Sequence, residues 1–87
     1  SLIEVLLLKV RMAVALGEEE RAPKLMDEAL DMARPAGLFL VFIQDRRALC
    51  EWLRHAALRH PECALARRLS AACNEPAPLQ PVAAGAR

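Results

Sequence analysis

Tyrosine is missing from this 87-residue chain, and one tryptophan and two phenylalanines bring the aromatic share to only 3%. β-Branched residues are few as well. Strands draw on both groups to fill a pleated surface, so their scarcity excludes a strand-rich fold and predicts an all-helical one. Glycine occurs three times, too seldom for an oxyanion-hole loop, and no Walker-type phosphate loop is present. The three cysteines, Cys50, Cys63 and Cys73, are odd in number and follow no metal-ligand spacing. Nothing at the N-terminus reads as a signal peptide. A reducing, cytoplasmic setting is therefore expected, with the cysteines acting as small apolar residues at helix contacts.

An excess of one charge is also lacking. The net charge of +1 removes the long-range field of an autonomous nucleic-acid-binding domain. The distribution is uneven: residues 1–44 hold seven acids and five bases, residues 45–87 four acids and seven bases. No run is apolar enough for a membrane span, because the stretch from Leu2 to Leu16 is broken by Glu4, Lys9 and Arg11 and stops at Gly17, short of the roughly 20 residues needed.

What is plentiful is apolar and small. Hydrophobic residues make up 55% of the chain, but much of this is alanine, which supplies helical propensity and close helix approach more than buried area. In so short a chain the core is thin. Ile3, Leu6, Leu7, Val10, Ala13 and Val14 share one face of a first helix, while Leu8, Met12 and Ala15 lie on another flank. That helix is expected to be covered on two sides. Gly17 ends it as a C-cap, and Glu18, Glu19 and Glu20 place negative charge at the next helix start. The second helix runs to about Arg34 with Ala22, Leu25, Met26, Ala29, Leu30 and Ala33 inward, and Pro35 and Gly37 close it. Pro23 sits awkwardly near its beginning, since proline deletes a backbone donor.

The apolar run Leu38 to Ile43 reads as a short connector helix between helical neighbours. Asp45 is the expected N-cap of a third full helix with Leu49, Trp52, Leu53 and Ala56 inward. Trp52 is expected to fill the core between hairpins rather than a ligand pocket. Pro61 ends that helix and can open a last one, with Leu65, Leu69, Ala72 and Cys73 inward, fading near Asn74. Residues 1–74 thus form the helical domain. Residues 75–87, rich in proline and small residues, read as a flexible linker or tail. With Ser1 in place of an initiator methionine and a helix beginning at once, the chain is expected to be a segment of a longer protein.

The stretch ALGEEERAPKLMDEALDMARPAG, with Gly17, Ala22, Met26, Ala29, Leu30 and Ala33 at fixed steps, resembles the tetratricopeptide pattern. Over residues 3–73 the order of blocks, including the segment carrying Gly37, Phe42 and Asp45, resembles the MalT-like helical repeat region of large ATP-dependent LuxR-family transcriptional regulators. The resemblance implies a superhelical stack of antiparallel helix hairpins: about four helices plus the connector. It implies a regulatory role, in effector sensing or self-association, coupled to a DNA-binding domain that this chain does not contain. Neither ATP-binding nor helix-turn-helix motifs occur here, so no cofactor, catalysis or direct nucleic-acid contact is expected of this segment. The implied partners are a second copy, the other domains of the parent and a small-molecule effector, with no membrane. A stand-alone helical adaptor for a peptide or protein is the alternative.

Candidate sites follow from the surplus residues. Leu8 and Met12 lie outside the face that packs on the second helix and are the expected self-association surface, giving a dimer. Arg46, Arg47, Arg54, Arg59, Arg67 and Arg68 allow a basic surface for phosphate or an acidic partner. The competing reading of these arginines is a solvated face with local pairs of small energy. His55, His60, Cys63 and Cys73 admit a soft metal site, but the bland reading of apolar cysteines and helix-end histidines is preferred.

Overall fold

Two glycines and two prolines punctuate the helix-forming sequence, and in the computed structural model, which describes residues 2–74, the regular elements between them are all helical, with no strand. The order is α1 (Leu2–Ala15), a 3-10 turn (Glu19–Arg21), α2 (Ala22–Ala33), α3 (Leu40–Ile43), α4 (Arg46–Arg59) and α5 (Ala64–Ala72). The expected linker over 75–87 lies outside the described residues.

The stops follow from backbone geometry. Gly17 adopts φ +78°; its N–H bonds the Val14 carbonyl and that of Glu18 bonds Ala13, the paired bonds of a Schellman end. Gly37, at φ +65°, repeats the device: its own N–H reaches Arg34 and that of Leu38 reaches Ala33. Pro23 causes no break, because it falls in the first turn of α2, where a backbone donor has no helical partner anyway.

Three sequence expectations need correction. Asp45 stands at the N-cap of α4 but its side chain makes no capping bond; the carboxylate faces Arg11 of α1 instead, at 3.7 Å. Pro61 does not open α5. It lies in the turn after α4, and α5 starts beyond Cys63, whose Sγ accepts from the Ala66 N–H at 3.4 Å. The connector helix is shorter than its apolar run, beginning at Leu40 and leaving Leu38 and Phe39 in the approach.

Helices α1 and α2 form one hairpin and α4 and α5 a second, joined by contact of α2 with α4 and by α3 against α1, α4 and α5. Ala22, Ala29 and Ala33 are wholly excluded from solvent along α2, and such short side chains permit axes at the near end of the 8–10 Å range. Phe42, fully buried on α3, joins Leu7, Val10, Met26, Leu49, Leu53 and Leu69 in one cluster with Trp52. Among the described residues no polar or charged side chain is buried. Apolar shape alone fills the interior.

Candidate functional site

Burying Ile3, Leu7, Val10 and Ala13 against α2 leaves the opposite side of α1 uncovered. Leu2, Val5, Leu8, Met12 and Leu16 follow one another at helical spacing on that side, and all are exposed, Leu8 at 53% and Met12 at 52%. Leu8 and Met12, singled out from sequence, thus sit mid-way along a longer apolar stripe. Scattered single apolar residues are ordinary on a protein surface, but a contiguous row is not.

The arginines meet different partners rather than one ligand. Arg46 donates to the Ala72 carbonyl at 3.4 Å and Arg54 to Asn74 Oδ1 at 3.3 Å. Arg59 donates to Asp27 Oδ1 at 2.6 Å. Arg67 reaches the Pro61 carbonyl, and the Arg68 guanidinium lies 4.7 Å from the Phe39 ring centre, a cation–π contact. Arg47 is exposed beside Arg11, Asp45 and Arg46 in a cleft at the start of α4. Most of these side chains therefore tie elements of the fold together.

Beside α2, a groove of about 120 Å³ is lined by Asp27, Leu30, Asp31, Arg34, His60 and Cys63. Pockets for small organic ligands usually enclose roughly 300–1,000 Å³, so this groove suits packing or a single ion pair better. His60 approaches Asp27 at 3.4 Å and Glu62 at 3.6 Å, while the buried Cys63 serves as the cap of α5. Among the described residues no three His, Cys, Asp or Glu side chains converge as metal ligands would. His55 stands edge-on to the Trp52 ring at 5.5 Å.

Two of the cysteines overturn their expected role. Cys50 on α4 and Cys73 at the end of α5 form a disulfide, with Cα atoms 5.7 Å apart, inside the usual span for such a bond. Only Cys63 is free. A signal existed in the sequence: Cys50 and Cys73 lie symmetrically about the Pro61–Glu62 turn, which places them opposite each other once the hairpin folds back. The same folding brings Arg59 to Asp27, a pair too distant in sequence for local patterning to show.

None of the described helices is long and apolar enough to cross a membrane. The chain matches no family model, and no curated protein or solved structure is significantly similar to it.

Proposed function

We propose that the chain is a non-catalytic interaction module: two hairpins of a tetratricopeptide-like superhelix that dock through the outward face of α1, within a cytoplasmic LuxR-family transcriptional regulator. The exposed row of Leu2, Val5, Leu8, Met12 and Leu16 carries this reading. Helical-repeat proteins bury such rows by stacking, each hairpin covering the next, and here α2 of the first hairpin lies in contact with α4 of the second.

The occupant of the α1 face is a second copy of this chain. An isologous pair with α1 antiparallel and centred on Leu8 covers both rows at once. In the parent regulator this contact would couple effector sensing to the DNA-binding domain.

Sedimentation velocity over a range of concentrations tests the docking: the wild-type chain runs as a dimer and the Leu8→Glu, Met12→Glu double variant as a monomer of unchanged helicity. A wild-type chain that stays monomeric at high concentration overturns it. The regulator assignment is tested by the coding sequence on either side. A nucleotide-hydrolysing domain upstream and a LuxR-type helix-turn-helix downstream are expected, and a stop codon directly after Arg87 with a start at Ser1 would sink it.

A further inference from the structure

Arg46, Cys50 and Arg54 are spaced four residues apart on α4 and so form a ridge along one face of it. The C-terminal end of α5 is gripped by that ridge at three consecutive residues. Arg46 donates to the Ala72 carbonyl at 3.4 Å, Cys50 is bonded to Cys73, and Arg54 donates to Asn74 Oδ1 at 3.3 Å. Two of the three links are long hydrogen bonds at or near the surface, weak in water. The third is covalent. The rest of the hairpin is held independently, by Leu49, Leu53 and Ala56 of α4 and Leu65, Ala66 and Leu69 of α5, all buried.

We propose that Cys50 and Cys73 are a redox-active dithiol, a reversible latch on the last turn of α5, whose reaction partner is a low-molecular-weight disulfide of the glutathione type. Both cysteines are half-buried at the surface, within reach of a small thiol, whereas Cys63 is buried and capping α5. Exchange needs a thiolate, and the guanidiniums of Arg46 and Arg54 one turn to either side of Cys50 supply the electropositive surroundings that favour it.

Closure runs in two displacements. One protein thiolate attacks a sulfur of the external disulfide, forming a mixed disulfide and releasing one small thiolate. The second protein thiolate then attacks the protein-bound sulfur and expels the other. Two electrons pass from the protein thiols to the external disulfide, and the two protons end on the two small thiols. Excess small thiol reverses both steps. In the open form the last turn keeps only the two arginine hydrogen bonds and the burial of the small Ala72 side chain, so it frays while the larger apolar body of the hairpin persists.

The test uses the full chain, oxidised with glutathione disulfide and then reduced with excess dithiothreitol. Backbone ¹⁵N relaxation is expected to show order parameters at residues 71–74 falling from about 0.85 to below about 0.6 on reduction, with Leu65–Leu69 unchanged. Of the three thiols, two should alkylate rapidly in the reduced native protein and none in the oxidised one. The Cys50→Ser, Cys73→Ser variant should show the open pattern under both conditions. Unchanged order at 71–74 overturns the latch. So does loss of signal dispersion along the whole chain, which would make the bond a global staple, and so does failure of glutathione disulfide to re-form it in the folded protein.

Discussion

Asp27 of α2 accepts a 2.6 Å hydrogen bond from Arg59, the last residue of α4, and the same carboxylate oxygen lies 3.4 Å from Nε2 of the adjacent His60. Arg59 also donates to the Pro23 carbonyl at 3.3 Å. One carboxylate thus fastens the first hairpin to the far end of α4. With the Arg59 and Asp27 side chains 33% and 36% exposed, solvent screens much of the attraction. A double-mutant cycle of Asp27→Asn and Arg59→Ala is expected to give a coupling of about 0.5–1 kcal/mol. Melting temperature should fall by about 4–8 °C for each kcal/mol lost in a domain of this size. Circular dichroism melts at low and high salt decide it: the coupling should shrink with salt, and a salt-independent value would show that packing, not charge, joins the two residues.

Gly17 and Gly37 hold positive φ, and a methyl group placed on either meets no atom within 4 Å. The loss on substitution is therefore backbone strain without a steric clash. Gly17→Ala and Gly37→Ala should each cost about 1 kcal/mol, and the double variant about twice that, since the two ends belong to different helices. Urea midpoints should drop with an unchanged m-value. Asparagine, which tolerates the left-handed region better, should cost less than alanine at both sites.

Phe42 fills the space where α3 meets both hairpins and is wholly buried. Phe42→Ala is expected to remove about 3–5 kcal/mol, a large part of the roughly 5–10 kcal/mol that stabilises a small domain. Phe42→Leu, closer in volume, should retain most of the stability. Trp52 fluorescence in urea reports both variants, because the residue is only 7% exposed when folded. A Phe42→Ala protein as stable as the wild type would mean that the α3 segment adds nothing to the core.

Much of the helical frame was legible because its signal is local and periodic. Of the inward faces read for the first helix, the second and the third full helix, all residues are buried except Leu6, Val14 and Leu25, which are half-buried, and Gly17 and Gly37 end their helices as their freedom from a Cβ predicts. Caps proved harder to read. Asp45 has the right chemistry for an N-cap, yet Arg11, brought in by tertiary contact, takes its carboxylate. The start of α5 was misplaced because proline marks both a permissible first turn and an ordinary loop, and a cysteine is an uncommon cap. The candidate surface was half visible: helical spacing set Leu8 and Met12 apart, but extension of the row to Leu2, Val5 and Leu16 required knowing that only one side of α1 is covered. The disulfide and the Asp27–Arg59 bond depend on which helix lies beside which, and periodicity within one helix carries no such information.

An interior without a single buried polar side chain among the described residues has nothing in it that forbids a slipped alignment except poor fit. A misplaced hydrogen-bonding group in a core is severely penalised, whereas a misplaced leucine merely packs less well. Alignment of the helices is consequently delegated to the periphery: the Asp27–Arg59 bond, the links from Arg46, Cys50 and Arg54 of α4 to the end of α5, and the two glycine turns. The protein separates cohesion, supplied by interchangeable apolar bulk, from registration, supplied by a few links at the surface, of which only the Cys50–Cys73 bond is covalent.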